Sequence, residues 1–280
     1  MDIKIKVFLA VLLAALIVLS VRTIDYTKDN IKQPNVTRRR VMIYDSLVQT
    51  DVSVEERAEA EAPTEGWWLG SGGQFRFTNG EGETDQGSQL QSDKWTRMYQ
   101  AANAKDTDNG IHPQNIFRLV YLAKIDNMEQ ESCFLVNRDN LSQSENRNQS
   151  NGFLLFNRYI DENNLYYTGL RVDGSLVIKK KKAGKYTTIS TIKVLDGVYD
   201  REANPSLIPK NQWIGIKSSV IDEEGVTKIS LSYDLDCSGN WSEPLLGEDK
   251  EDTIRGKGSG GIRGDFMDLK FKNYRLSRIL

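Results

Sequence analysis

Asn151-Gly152-Phe153-Leu154-Leu155-Phe156-Asn157-Arg158-Tyr159 leads, through Asp161-Glu162-Asn163-Asn164, into Leu165-Tyr166-Tyr167-Thr168-Gly169-Leu170-Arg171-Val172 and then Asp173-Gly174-Ser175. Two runs of aliphatic and aromatic residues separated by an acidic, Asn-rich cluster read as two strands and a turn. Asp173-Gly174 is a hairpin signal, because a tight hairpin turn needs residues that tolerate positive φ. It predicts a third strand over 176–180. With Leu154 and Phe156 turned toward a core, strict alternation points Asn157 and Tyr159 outward. With Tyr166, Leu170 and Val172 inward, Tyr167 and Arg171 point outward.

The same grammar extends along the chain. Ile229, Leu231 and Tyr233 alternate with Lys228, Ser230 and Ser232, and Met267, Leu269 and Phe271 alternate with Asp268, Lys270 and Lys272. Period-two patterning marks strands with one buried face. Further strands are expected over 116–125, 186–192 and 212–219. Asp222-Glu223-Glu224-Gly225 supplies another hairpin turn. Many short strands divided by turns predict an all-β jelly-roll sandwich of two antiparallel sheets.

The chain of 280 residues has 37 Lys and Arg against 39 Asp and Glu. That balance excludes a general nucleic-acid binder, which needs a basic footprint. Two cysteines, Cys133 and Cys237, and one histidine, His112, exclude a zinc centre of the usual kind. The sequence leaves two states open for the cysteines, a Cys133–Cys237 disulfide or two buried thiols.

Residues 7–21 form an apolar run behind Lys4 and Lys6. We read residues 1–21 as a hydrophobic helix serving as signal anchor or signal peptide, with the membrane as partner. The expected location is extracytoplasmic or at the cell surface, anchored, or secreted if the segment is cleaved. Arg22, Lys28, Lys32 and Arg38-Arg39-Arg40 oppose that orientation under the positive-inside rule, but Asp25 and Asp29 are interleaved and the arginine triplet is distant from the run. Residues 22–65, with the acidic stretch Glu55-Glu56-Arg57-Ala58-Glu59-Ala60-Glu61-Ala62-Pro63, read as a solvated linker. The β domain is then expected over 66–280, from Gly66-Trp67-Trp68 onward.

The quoted strand–turn–strand–hairpin resembles the laminin-G-like members of the concanavalin A-like lectin/glucanase superfamily. Gln212-Trp213-Ile214-Gly215-Ile216 is similar to the family's Trp-led strand, and Gly261-Ile262-Arg263-Gly264-Asp265-Phe266 to its closing element. The resemblance spans about residues 67–280 and implies a groove on one sheet that holds a sugar. It makes Arg97, Tyr99, Asn157, Tyr159, Tyr167 and Arg171 the expected ligand-binding residues, with a glycan or cell-surface polysaccharide as partner. Arg97 and Tyr99 enter by treating Trp95-Thr96-Arg97-Met98-Tyr99 as a strand.

The expected function is a carbohydrate-binding module without catalysis. A rival reading is a lyase acting on uronate-containing glycans, for which His112, Gln114, Arg118 and Tyr167 supply the base, neutraliser and acid types. A third is a structural adhesion module. No paired acids stand on one strand as a retaining glycosidase of this superfamily requires. No cofactor is called for; calcium is the one ion weighed, at Asp234 and Asp236 in Asp234-Leu235-Asp236-Cys237-Ser238-Gly239, where an ordinary Asx turn competes.

Overall fold

The computed structural model describes residues 38–46, 51–85 and 93–280. The apolar run and its expected helix lie outside them. No helix among the described residues is long and apolar enough to cross a membrane.

In chain order the first strands are β1 (Arg40–Asp45), β2 (Val52–Glu55), β3 (Trp67–Ser71), β4 (Gln74–Thr78) and β5 (Glu81–Thr84), followed by helix α1 (Asp93–Asn103). Then come β6 (Ile116–Ile125), β7 (Met128–Asp139), β8 (Gly152–Asp161), β9 (Asn164–Arg171), β10 (Ser175–Lys182) and β11 (Lys185–Lys193). The last are β12 (Ile214–Glu223), β13 (Val226–Asp234), β14 (Leu245–Asp249), β15 (Gly258–Asp265) and β16 (Met267–Ile279). The described residues form two antiparallel sheets. One has nine strands, ordered β14-β13-β12-β7-β16-β5-β4-β2 with β1 also on β16, and the other has seven, ordered β11-β10-β9-β8-β15-β6-β3.

The hairpins form where turn chemistry demands them. Asp161 accepts hydrogen bonds from the Asn163 N–H (2.7 Å) and the Asn164 side chain (2.9 Å), closing the β8–β9 turn. Asp173 caps the β9–β10 turn through the Ser175 N–H at 3.0 Å, with Gly174 at φ +78°. Glu224 and Gly225 take φ of +50° and +84°, the paired left-handed residues of a type I′ turn between β12 and β13.

The two sheets share one core. Phe134 of β7 stacks on Phe153 of β8 at 4.1 Å, and Phe75 of β4 on Phe271 of β16 at 5.4 Å. A polar seam crosses this core. Tyr274 donates to Gln130 (2.9 Å), Gln130 donates to Asn157 (2.8 Å), and Asn157 donates to Thr168 (2.8 Å), all four being buried. Buried polar groups are tolerated only when paired. Asn157→Ala strands Thr168 and half of Gln130, so we expect a loss of about 2–4 kcal/mol. Urea unfolding would measure it; a change within about 0.5 kcal/mol, the usual range for surface substitutions, would show the seam to be dispensable.

Asn157 therefore points into the core and not outward. Phe153 and Leu155 are the core residues of β8, and Leu154, Phe156 and Tyr159 lie on the opposite face. A bulge at Arg158, with φ +52° and a register shift between Asn157 and Asp161, switches the alternation. Tyr159 thus faces outward as expected, while Asn157 does not.

The stretch read as a linker is also partly built into the sheets. β1 pairs with β16 and β2 with β4. The compact unit runs Arg39–Leu280. The acidic segment is held by its backbone: Arg57 donates to the Leu69 carbonyl at 3.2 Å, and its own carbonyl accepts the Trp68 indole N–H at 2.9 Å. Its exposed glutamates conceal that anchoring.

Candidate functional site

The seven-stranded sheet carries a second apolar cluster on the face turned away from the core. Its rings form a row across the strands. Trp68 of β3 meets Tyr159 of β8 (6.3 Å between centroids), Tyr159 meets Phe156 (5.5 Å), Phe156 meets Tyr167 of β9 (5.5 Å), and Tyr167 meets Tyr186 of β11 (5.9 Å). Most are covered by their neighbours, but Tyr186 is 54% exposed.

A cavity of about 410 Å³ opens at the Tyr186 end. Leu154 and Tyr167 line it with Arg263 and Asp265 of β15 and Lys179 of β10; Asn146, Asn148, Ser150 and Asn151 also line it, from the loop before β8. Register explains the convergence. Lys179 is the cross-strand partner of Tyr167, and Arg263 that of Leu154.

The charges are fixed in place. The Arg263 guanidinium donates to both oxygens of Asp265 (2.8 and 2.9 Å) and to the Tyr167 hydroxyl (3.2 Å). Burial opposes its charge, but Asp265 outweighs burial and holds it above the ordinary arginine value. Burial likewise pushes the Tyr167 phenol up, against the opposing pull of Arg263. Tyr186 goes the other way: burial would raise it, yet the Arg263 charge and the bond to Tyr167 bring it below the usual phenol value.

The rim is preorganised. Asp106 accepts hydrogen bonds from Ser144 (2.5 Å), Asn146 (2.9 Å) and Asn103 (3.0 Å). Burial would raise its carboxyl, but those three bonds hold it below the usual range. Asn148 accepts from the Ser150 N–H at 2.9 Å, and its own N–H donates to Asn151 at 2.6 Å.

A second cavity of about 240 Å³ lies at the other end of the row, lined by Trp68, Tyr159, Arg118, Glu162 and residues 57–59. Arg118 donates to Ser71 (3.0 Å) and to Glu162 (3.1 Å) there. Arg171 stands at the margin, bonded to the Gln149 carbonyl (3.1 Å) and to Asp173 (2.9 Å).

Arg97 and Tyr99 lie on helix α1, where i and i+2 do not share a face. Arg97 is exposed. Tyr99 is buried, donating to Glu56 at 2.5 Å and accepting from the Gly72 N–H at 2.7 Å, so it packs the helix and lines neither cavity. The four residues of the lyase reading are not brought together. Tyr167 lines the larger cavity and Arg118 the smaller. Gln114 is fully buried and donates to the Gly72 carbonyl (2.8 Å), and His112 lines neither cavity, its Nδ1 being 2.7 Å from Asp108.

Asp234 accepts the Gly239 N–H (2.7 Å) and the Asp236 N–H (3.3 Å), the geometry of an Asx turn, and Asp236 is exposed. Among the described residues no group of three or more His, Cys, Asp or Glu is placed to hold a metal ion. Cys133 and Cys237 are joined as a disulfide, with Cα atoms 5.9 Å apart.

Sequence reasoning missed Arg263, Asp265, Tyr186 and the asparagine rim as site residues. Arg263 and Asp265 share a parity between Ile262 and Phe266, and that two-residue alternation in the Gly-rich Gly258–Asp265 strand was the available signal.

No family model matches the chain, and no curated protein does. Solved structures with a similar fold include the carbohydrate-binding module CBM66 from Bacillus subtilis: 14% identity over 75% of this chain and 94% of that one, TM-score 0.41. The winged bean acidic lectin complexed with methyl-α-D-galactose is 8% identical over 81% and 97%, TM-score 0.46. The exoplasmic/lumenal domain of VIP36 in a Ca2+/Man3GlcNAc-bound form is 11% identical over 81% and 90%, TM-score 0.43. What the cavity can bind is read from its own side chains.

Proposed function

We propose that this protein is a glycan-binding module without catalysis, held outside the cytoplasm by its N-terminal apolar segment. The observation that carries the reading is the larger cavity. It sets an exposed ring, Tyr186, beside a fixed guanidinium–carboxylate pair, Arg263 and Asp265, and a rim of amides. Such a mixture suits a sugar, which offers apolar C–H faces and many hydroxyls. The cavity's carboxylates support binding over hydrolysis. Asp265 is paired with Arg263 and Asp106 is held ionised by its donors, whereas glycoside cleavage needs a carboxylic acid held protonated. The Cys133–Cys237 disulfide supports an oxidising compartment.

Affinity electrophoresis of the full-length chain against immobilised polysaccharides tests this. Tyr186→Ala is expected to weaken binding by about 3- to 10-fold, the worth of one ring contact. Arg263→Met should weaken it by about 10-fold or more, since it also leaves Asp265 unpaired. Retardation that survives both substitutions would place the glycan elsewhere.

A further inference from the structure

Residues 179–182 are four consecutive lysines on β10, and the sheet treats them differently. Lys180 is buried against Asp249 (2.8 Å). Lys182 pairs with Asp252 (3.0 Å). Lys181 sits over the Tyr186 ring, 5.2 Å from its centroid. Lys179 faces the larger cavity, and among the described residues it has no carboxylate in ion-pair contact and no hydrogen-bond acceptor.

We infer that the larger cavity selects saccharides bearing an anionic group on the ring, a carboxylate or a sulfate ester, and that Lys179 is the residue that reads it. The inference rests on the glycan-binding reading and adds the ligand's chemical class.

The neighbouring charges leave this role to Lys179. Arg263 is neutralised by Asp265 and Arg171 by Asp173. Asp106, the other carboxylate on the cavity, has its oxygens occupied by Ser144, Asn146 and Asn103 and feels the charge of Lys105. Lys179 is half-buried between these pairs. Burial first, then repulsion from Arg171 and Arg263, outweighs the attraction of Tyr186 and Asp265 and lowers its proton affinity below the ordinary lysine value. A half-buried ammonium with no carboxylate in contact is a deficit that an entering anion reduces. The nearby Tyr186 offers an exposed ring to the sugar that carries the anion. A neutral sugar would leave the ammonium covered and unpaired, so the site discriminates by penalty as well as by attraction.

The test is calorimetric titration of the full-length chain with matched pairs. One pair is oligogalacturonate and its methyl ester; the other is sulfated and unsulfated dextran oligomers. The expected result is that one anionic member binds about 10- to 100-fold more tightly than its neutral twin, the worth of a hydrogen-bonded charge. Whether the carboxylate or the sulfate member does so identifies the anion. Lys179→Gln should abolish the preference, weakening the anionic member and, with the covered charge gone, tightening the neutral twin, and Lys179→Arg should keep most of it. Equal affinity for both twins in the wild type, or a preference that persists in Lys179→Gln, overturns the inference and leaves glycan binding standing. Absence of binding to either pair, with retardation on neutral polysaccharides, also overturns it. Absence of binding to every saccharide overturns the glycan reading itself.

Discussion

A chain that begins at Gly66 is expected to be recovered unfolded or aggregated, whereas one that begins at Arg39 folds as the full-length chain does. The shorter chain lacks Tyr44, which packs against Trp67, Tyr121 and Tyr274 and accepts the Trp67 indole N–H at 2.9 Å. Removing a buried aromatic costs about 3–5 kcal/mol. It also lacks Glu56, so the Gly73 N–H (2.8 Å) and the Tyr99 hydroxyl (2.5 Å) lose their acceptor. Each stranded group costs about 1–3 kcal/mol. Together these losses rival the whole margin of a typical domain, about 5–15 kcal/mol. Loss of β2 further uncovers β4, the next strand in the sheet. Soluble expression and a cooperative melt of the two chains decide the matter. A Gly66 chain with an unchanged melting curve would show that β1 and β2 are accessory.

Reduction of the disulfide is the second large effect. Cys133 lies within β7 and Cys237 in the turn after β13, 104 residues apart. Closing a loop of that length removes about 4.7 kcal/mol of chain entropy from the unfolded state. Paired Cys133→Ser and Cys237→Ser substitutions should lower stability by about 4–5 kcal/mol. At about 2–4 °C per kcal/mol the melting temperature falls by roughly 8–20 °C. Dithiothreitol on the unsubstituted chain should reproduce the shift. A urea midpoint indifferent to reductant would show that the two thiols are not bridged.

The hairpins were the legible part of the sequence, because their turns are dictated locally. Asp161–Asn164, Asp173-Gly174 and Glu224-Gly225 place β8, β9, β10, β12 and β13 where periodicity put them. What escaped depends on contacts between distant residues. β15 carries four glycines in eight residues and so shows no apolar alternation, yet Gly258, Gly261 and Gly264 sit where the chain is closely approached: an added Cβ would stand 2.5 Å from the Arg158 backbone, 2.4 Å from the Leu119 carbonyl and 2.4 Å from Leu269. Helix α1 carries Trp95 and Tyr99 one turn apart, both buried, but over five residues the same letters also fit a strand. The bulge at Arg158 has no local signature at all; its guanidinium is bound by Asp222 (2.8 Å), the Ile254 carbonyl (2.8 Å) and the Asp126 carbonyl (3.0 Å). The site suffered most, since Lys179, Tyr186, Arg263 and Asn148 come from separate segments that only the finished sheet brings together.

β16 sits between β7 on one side and β5 and β1 on the other. It is also synthesised after all of them. A ribosome delivers the chain N-terminus first, so the nine-stranded sheet stays split into β14-β13-β12-β7, β5-β4-β2 and a lone β1 until residues 267–279 emerge. Pairing residue 40 with residue 279 then closes nearly the longest loop the described chain allows. Assembly of that sheet therefore waits for residues 267–279, and the interval before it is when exposed strand edges are open to association with other chains.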